Sequence, residues 1–228
     1  MTKVLLIVDA QPDFMPGGKL AVAGGDEIVP VINKLIKEGG YDLIVASQDW
    51  HPANHGSFAS QHKGKNVFDM GELSGQPQVM WPDHCVQGTD GAKLHNDLLL
   101  DKIDFIQQKG MNPEIDSYSA FADNAKGSKT GLDEYLKSKG VTELHVCGLA
   151  TDYCVAFSAM DAAQMLKDTK IKFIEDASRG ISENDINAQK DAMKKAGIET
   201  INSDLVILPS NDVSGDLDAK GGEKKVGK

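Results

Sequence analysis

The sequence predicts an α/β fold, in which a six-stranded, mostly parallel sheet lies between two layers of helices. Two observations support this prediction. Short runs of Val, Leu and Ile, the first at residues 3–8, have the composition of strands that are buried on both faces. Segments with apolar residues at helical spacing alternate with these runs, and this alternation is typical of a parallel sheet covered by helices.

The composition favours a single globular domain. The chain has 228 residues, of which 40% are hydrophobic and 25% charged, and this is enough apolar material for one sizeable core. We expect the domain to span residues 1–209. Residues 210–228, which are rich in Gly, Asp and Lys, are expected to form a loosely ordered tail.

Charge and cysteine content narrow the class of protein. The formal net charge of -10 disfavours nucleic acid, because phosphate backbones attract basic proteins. The apolar run near Met1 is too short for a signal peptide, and no segment has the length of a membrane span. The 3 cysteines form no regular spacing and fit free thiols in a reducing compartment. We therefore expect a cytoplasmic protein without a membrane partner.

The first strands place a carboxylate and an imidazole together. Helical spacing predicts a helix over residues 26–36, with glycine pairs on both sides, and residues 41–47 read as the second strand. Asp49 and His51 follow this strand, two positions apart. Alternate residues of an extended segment point the same way, so these two side chains can act as metal ligands together.

Residues 52–87 interrupt the pattern with a long segment rich in His, Gly, Ser and Asn. Loops of this length in a compact domain are usually functional or disordered. One histidine alone would be an ordinary surface residue, but several of them near an aspartate predict a divalent-ion site with open positions. The preferred ligands are Asp49, His51 and His84, and His55 is an alternative.

Lys109 is expected at the same edge of the sheet as Asp9, the residue that follows the first strand. Residues 94–100 predict a short helix and residues 104–108 a third strand, which places Lys109 at its carboxyl end. On its own this residue would be taken for a solvated surface lysine.

The next loop carries two aromatic residues, Tyr118 and Phe121, that are candidates to line a pocket. A helix over residues 131–139 follows and ends at Gly140. Beyond the fourth strand, the same patterns predict a fifth strand over residues 170–175, a helix over 184–196 and a sixth strand over 199–208.

Cys154 is the candidate nucleophile. A buried strand at residues 144–147 turns into a helix after Gly148, which places Cys154 in the first helical turn. Unpaired N–H groups and the positive end of the helix dipole favour a thiolate there. A free cysteine is also frequently a small buried hydrophobe, and the local sequence leaves both interpretations open.

Asp9, Lys109 and Cys154 predict a catalytic unit. Each follows a different predicted strand, and a parallel sheet brings such residues to the edge where open α/β sheets bind ligands. A cationic lysine would lower the thiol pKa, and the aspartate could take the thiol proton and return it to a leaving group.

Six segments of the chain carry a resemblance to a known family. They are residues 8–14 (VDAQPDF), 49–52 (DWHP), 81–89 (WPDHCVQGT), 108–110 (QKG), 116–121 (DSYSAF) and 148–155 (GLATDYCV). Together they resemble the signatures of nicotinamidases, in the isochorismatase-like cysteine hydrolase superfamily, and the likeness extends to about residue 208. The segments around Asp9 and Cys154 are shared by much of the superfamily, whereas the Asp49, His51 and His84 set marks the nicotinamidase branch.

The resemblance implies the isochorismatase-like hydrolase fold and a role for each site residue. Asp9, Lys109 and Cys154 would form a catalytic triad. One divalent ion, zinc foremost and otherwise manganese or iron, would be held by Asp49, His51 and His84. Water, Ser57 or His55 would complete its shell.

The resemblance also implies how the substrate is bound. A cis peptide would join Leu149 to Ala150, and the amides of Ala150 and Cys154 would form the oxyanion hole. Phe14 and Trp81 would hold a pyridine ring. Tyr118 is a further candidate for this role.

The implied reaction is hydrolysis of nicotinamide to nicotinate and ammonia through a cysteine thioester, in NAD salvage, with pyrazinamide as a second substrate. The nearer alternative is another cysteine hydrolase of the superfamily, acting on a ureido or vinyl-ether compound. The other alternative is a non-catalytic metal-binding module in which Cys154 is inert. Family members occur as monomers and as larger assemblies, so a homo-oligomer is compatible with the sequence.

Overall fold

The computed structural model describes residues 1–207, which form a three-layer α/β/α sandwich. In chain order the strands and helices are β1 (Thr2–Val8), α1 (Ile28–Glu38), β2 (Leu43–Asp49), β3 (Met70–Leu73), β4 (Gln76–Val79), β5 (Phe105–Lys109), α2 (Leu132–Ser138), β6 (Val141–Leu149), α3 (Ala156–Met165), β7 (Lys170–Arg179), α4 (Glu183–Lys195) and β8 (Glu199–Ile201). Within these residues, one 6-stranded sheet has the order β5-β2-β1-β6-β7-β8. Every adjacent pair in it is parallel, which confirms the predicted fold class.

The core lies on both faces of this sheet. Alternate residues of β1 divide between two apolar clusters: Leu5 and Ile7 pack on the side of α1, while Leu6 and Val8 pack on the side of α2 and α3. Because both faces of the central strands are buried, their sequences contain uninterrupted apolar runs instead of alternating ones.

The register of the sheet determines where the functional side chains meet. Asp49 and Lys109, the last residues of β2 and β5, are paired directly across the two neighbouring strands. Val8 at the end of β1 is paired with Gly148 near the end of β6. The carboxyl ends of four central and edge strands therefore converge on one edge, as predicted.

Two predicted elements differ most from the structure, one in type and one in extent, while the predicted strands at residues 144–147 and 170–175 are too short: β6 covers Val141–Leu149 and β7 Lys170–Arg179. Residues 94–100 form turns instead of a helix. The reason is that the Asn33 side chain on α1 forms hydrogen bonds with backbone groups that a helix would use: it donates to the Asp97 carbonyl at 2.7 Å and accepts from the Leu99 N–H at 3.0 Å. The predicted sixth strand over residues 199–208 covers only Glu199–Ile201 within the described residues, and residue 208 lies outside them. The strand ends shortly before Ser203, whose backbone N–H and hydroxyl both donate hydrogen bonds to the Asp176 carboxylate.

The long segment after β2 contains an antiparallel hairpin, β3–β4, that was not predicted. Its turn residues, Ser74 and Gly75, have φ of 49° and 74°. Two successive positive φ angles are typical of a tight hairpin turn, and a Ser-Gly pair is a known signal for one. The sequence therefore contained a signal for this turn, although the short flanking strands did not show clear alternation.

Two expectations concern the ends and the surroundings of the chain. The predicted domain end at residue 209 and the predicted tail over residues 210–228 lie outside the described residues. Within residues 1–207, no helix has both the length and the apolar character needed to cross a membrane.

Gly148 is expected to be essential for stability. Its φ is 123°, and a Cβ atom there would lie 2.0 Å from the Val8 carbonyl oxygen on the neighbouring strand. Gly148→Ala should lower the free energy of unfolding in urea by at least about 3 kcal/mol, through backbone strain and overpacking together. Gly197→Ala is the matched control: φ is 82° but no atom lies within 4 Å, so only the strain of about 1–2 kcal/mol applies. Equal losses for the two variants would contradict this account.

Candidate active site

Lys109 lies at the centre of the site, with its ammonium group fully buried. Nζ lies 2.6 Å from Asp49 Oδ1, 2.9 Å from Asp9 Oδ2 and 3.5 Å from Cys154 Sγ. It also donates to the Ser117 carbonyl oxygen at 2.9 Å. Burial lowers the pKa of Lys109, but the charges of Asp49 and Asp9 outweigh this effect and hold the pKa well above its usual range. The lysine is therefore a fixed cation between two carboxylates.

Asp9 follows β1 in a left-handed conformation, with φ of 47°. The Ser47 hydroxyl donates to Oδ1 at 2.6 Å, whereas Oδ2 accepts no well-oriented hydrogen bond from residues 1–207 and has only the ion-pair contact with Lys109. Burial raises the pKa of Asp9, and the opposing charge of Lys109 only partly offsets this. Asp9 thus has a higher proton affinity than an ordinary aspartate, and Oδ2, which contacts the Lys109 ammonium, is the oxygen that can accept a proton.

Cys154 is located as predicted but is not ionised as predicted. It lies in a single π-helical turn, Thr151–Val155, directly before α3. A ligand atom from each of Asp9, Asp49 and Cys154 lies within 4.8 Å of the other two. Burial raises the pKa of the Cys154 thiol well above its usual range, Lys109 opposes this, and the two aspartates add to it. The prediction of a lowered thiol pKa is therefore wrong, since burial and the carboxylates outweigh the lysine.

The backbone before Cys154 has the predicted geometry. The peptide bond between Leu149 and Ala150 is cis. The Ala150 carbonyl accepts hydrogen bonds from the N–H groups of Tyr153 and Val155, both at 3.1 Å. Ala150 and Cys154 both line the same pocket. Their role as an oxyanion hole stays a prediction.

Asp49, His51 and His84 form a buried group beside the Lys109 ammonium. Asp49 Oδ2 lies 3.4 Å from His51 Nε2 and 3.8 Å from His84 Nε2. Burial raises the pKa of Asp49, but Lys109 and His51 hold it well below the usual range, so the carboxylate is ionised. Three potential ligand atoms therefore face one point.

The protonation of these imidazoles suits a metal ion. Nδ1 of His51 lies 2.8 Å from the Gly110 carbonyl oxygen, and Nδ1 of His84 lies 2.7 Å from that of Pro82. A carbonyl accepts only from N–H, so both Nδ1 atoms carry a proton and both Nε2 atoms face Asp49. Although burial opposes it, the charge of Asp49 raises the pKa of His51, and a divalent ion would take the place of the proton that this favours on Nε2. With metal–ligand bonds of about 2.1 Å, neighbouring ligand atoms lie roughly 3.0–3.5 Å apart, close to the observed spacing. The residues present thus fit a divalent metal.

A further ligand is not decided by the geometry. The Ser57 hydroxyl lies 2.7 Å from His55 Nδ1, while His55 Nε2 is buried and has no hydrogen-bond partner in the described part of the chain. His55 also forms a second group with His51 and Asp116, whose potential ligand atoms lie within 4.8 Å of one another. The earlier alternatives of Ser57, His55 or water stay open.

A mostly apolar pocket opens over these groups. The predicted ring-binding residues Phe14, Trp81 and Tyr118 all line it. Phe121, the other aromatic candidate, does not: it is fully buried in the core beneath α2 and α3, so that expectation is wrong. Sequence reasoning assigned no role in the pocket to five other lining residues, which are Leu20, Val22, Asp116, Tyr153 and Ile181.

The sequence carried a signal for two of these five residues and none for the other three. Asp116 and Tyr153 lie inside two of the recognised segments, so their positions beside Tyr118 and Cys154 were a usable signal. Leu20, Val22 and Ile181 carry no local signal, because an apolar residue in a loop looks the same whether it lines a pocket or covers the core.

The hairpin fixes the aromatic wall of the pocket. Gln78 on β4 donates to Asp116 Oδ2 at 3.1 Å and to the Tyr118 hydroxyl oxygen at 3.2 Å. Trp81 donates from Nε1 to the same hydroxyl oxygen at 3.3 Å and packs edge-to-face against Tyr153, with ring centroids 5.0 Å apart. The polar edges of these rings are therefore held in place while their faces remain apolar.

Comparison with known proteins establishes the family. The Isochorismatase domain model matches residues 3–204. The chain belongs to the isochorismatase family. Among its relatives in this family, the nicotinamidase of Escherichia coli (strain K12) is 50% identical over 79% of this chain and 84% of its own length. The nicotinamidase of Acinetobacter baylyi is 44% identical over 90% of this chain and 94% of its own length.

Solved structures of isochorismatase-family proteins agree with this fold. The Acinetobacter baumanii nicotinamidase and pyrazinamidase superposes with a TM-score of 0.84 at 43% identity, covering 89% of this chain and 96% of the other. A protein of L. infantum in complex with nicotinate gives 0.78 at 37% identity, with 89% and 93% covered. The pyrazinamidase of Pyrococcus horikoshii in complex with zinc gives 0.71 at 37% identity, with 89% and 99% covered.

His84 is expected to be needed for metal binding. Loss of one of three buried ligand atoms in His84→Ala should lower the affinity for a divalent ion at least about 10-fold, measured as metal retained per chain by elemental mass spectrometry after gel filtration. His62→Ala is the control, because His62 bonds the Gly56 carbonyl and lies outside the ligand groups. Retention of the full metal content by the His84 variant would show that these residues are not the ligands.

Proposed function

We propose that this chain hydrolyses nicotinamide to nicotinate and ammonia. One observation carries the proposal: Asp9, Lys109 and Cys154 meet directly beside a buried ligand group of two imidazoles and one carboxylate, and Cys154 lines the same pocket as that group. A pyridine carboxamide has the two features that such a pocket can recognise at once, a ring nitrogen and an amide. The similarity to nicotinamidases over most of the chain supports this substrate.

The ligand group of the proposal is Asp49, His51 and His84, with zinc as the preferred ion because a related pyrazinamidase is known in complex with zinc. A divalent ion held by these three residues would supply a Lewis acid for the ring nitrogen of the substrate. Phe14, Trp81 and Tyr118 enclose the ring faces, and their apolar contact excludes water from the amide. The carboxamide is then directed towards Cys154.

In the first half of the reaction, the Cys154 sulfur attacks the amide carbon while Asp9 Oδ2 takes the thiol proton. The raised pKa of Asp9 makes this transfer less unfavourable than it would be for an ordinary aspartate. The N–H groups of Ala150 and Cys154 donate to the oxyanion, a contribution of about 3 kcal/mol per donor. Protonated Asp9 then gives its proton to the amide nitrogen, and the C–N bond breaks. Ammonia departs, and the acyl group remains bound to Cys154 as a thioester.

In the second half, Asp9 takes a proton from a water molecule whose oxygen attacks the thioester carbon. The C–S bond breaks, and the sulfur recovers a proton from Asp9 as nicotinate forms. Lys109 stays protonated throughout, because its buried ammonium offsets the negative charge that moves between Asp9 and the sulfur. One water is consumed, and one ammonia and one acid are released.

The alternatives raised by the sequence are less well supported. A hydrolase of ureido or vinyl-ether compounds has no need for a buried ligand group beside its cysteine, and an inert metal-binding module has no need for a buried aspartate and lysine beside a thiol. Pyrazinamide, which differs from nicotinamide by one ring nitrogen, is proposed as a second substrate. The product, nicotinate, places the reaction in NAD salvage. The three free cysteines support the cytoplasm as its compartment.

Asp9→Asn is expected to abolish ammonia release from nicotinamide, with kcat reduced by about 10²–10⁴-fold, because the amide can neither take nor return the proton. Released ammonia is measured in a coupled assay, and metal content by elemental mass spectrometry should equal that of the unaltered chain. Asp97→Asn, at an exposed position, is the control. Near-normal turnover by the Asp9 variant would exclude it as the proton carrier.

Iodoacetamide is expected to inactivate the chain through Cys154. This residue lines the pocket and is 7% exposed, whereas Cys85 and Cys147 are fully buried, so Cys154 should be modified first and turnover should fall in parallel. Peptide mass spectrometry locates the label, and saturating nicotinate should protect the residue. Labelled Cys154 with full activity would rule out a nucleophilic role.

A further inference from the structure

Asp152 is buried beside the nucleophile but belongs neither to the triad nor to the ligand group. Its carboxylate accepts hydrogen bonds from the Ile181 N–H, at 3.0 Å to Oδ1 and 3.2 Å to Oδ2, and from the Ser182 N–H, at 2.9 Å to Oδ2. It forms no ion pair within residues 1–207. Because it lies two residues before Cys154 in the same π-helical turn, it ties the segment at 181–182 to the nucleophile.

This segment, between β7 and α4, is also restrained on both sides. Ser182 is the N-cap of α4 and accepts a hydrogen bond from the Asp185 N–H. A Cβ atom at Gly180 would lie 2.5 Å from Ile186 Cγ1 and 2.9 Å from Asp152 Oδ1. The close packing fixes the position of Ile181 relative to Cys154.

Ile181 occupies the rim of the pocket. Its side chain is 45% exposed, whereas Asp49, His51, His84 and Cys154 are between 1% and 7% exposed. Leu20 and Val22 lie in the same lining. The pocket therefore has a closed end with polar groups and an apolar rim that includes Ile181.

The substrate must match this polarity. The ring nitrogen and the carboxamide of nicotinamide occupy ring positions 1 and 3, so both polar groups can face the polar end together. The ring carbon opposite that edge, C5, then points to the apolar rim. On the basis of the proposed function, we propose that Ile181 sets the size limit for substituents at C5 and that Asp152 is the positioning residue that holds Ile181 there.

The first experiment compares kcat/KM for nicotinamide and 5-methylnicotinamide. In Ile181→Ala, the ratio of 5-methylnicotinamide to nicotinamide should rise at least about 10-fold, the discrimination expected of one methyl group in an apolar pocket. Ile106→Ala is the matched control, because Ile106 is 47% exposed and lies on the edge strand β5 outside the pocket. Its ratio should equal that of the unaltered chain.

The second experiment tests Asp152. Asp152→Asn keeps the size of the side chain but turns one acceptor into a donor that faces backbone N–H groups, so the segment should move and the ratio should rise as in Ile181→Ala. In the double variant it should rise no further, because Asp152 acts through Ile181. A purely structural defect would lower kcat/KM for both substrates equally and leave the ratio unchanged. If Asp152→Asn does not fold, as judged by circular dichroism, Asp152→Ser replaces it.

Three outcomes overturn the inference: a ratio in Ile181→Ala within about twofold of the unaltered chain, well below the discrimination of a methyl group, an unchanged ratio in the Asp152 variant, or an additive effect in the double variant. A failure of the proposed function can be told apart from a failure of this inference. If nicotinamide binds but is not hydrolysed, the dissociation constants of nicotinate and 5-methylnicotinate, measured by calorimetry, give the same ratio without turnover.

Discussion

The site depends on one buried cation held between two carboxylates. Lys109 contacts Asp49 and Asp9 within 2.9 Å, and all three side chains are buried. Desolvating such groups is costly, and only close, well-placed opposite charges make up for it. With Asp9 ionised the trio carries one negative charge in excess, and the Nε2 atoms of His51 and His84 face Asp49 beside it. A divalent cation is the occupant that this charge and these donors favour.

The same electrostatic arrangement determines the state of the nucleophile. A helix terminus and a lysine would lower a thiol pKa at an exposed position. At Cys154, burial and the two aspartates outweigh them, so the sulfur keeps its proton until a base takes it. The arrangement makes Asp9 that base, because one of its oxygens has no well-oriented hydrogen bond within the described chain. Attack by the Cys154 sulfur is thus coupled to transfer of its proton to Asp9.

The sheet and the long insertion contribute differently to the pocket. Parallel pairing brings Asp49 next to Lys109 and the Asp9 strand next to the Cys154 strand, which fixes the reacting groups on the most rigid part of the fold. The insertion between β2 and β5 supplies His84 and Trp81, and its hairpin supplies Gln78, which orients the aromatic wall. The ends of the sheet strands therefore position the reacting groups, and the loops determine the shape and polarity of the pocket.

The sequence by itself determined the α/β class, the order along the chain of the six strands in the main sheet and the edge at which Asp9, Asp49, Lys109 and Cys154 meet. These follow from periodicity and from the geometry of parallel strands, which are local properties. Only the tertiary structure decided the thiol protonation, the place of Phe121 in the core and the rim at Ile181. Burial and contacts between distant segments set these features, and a residue's neighbours in sequence carry no record of how deeply folding will bury it.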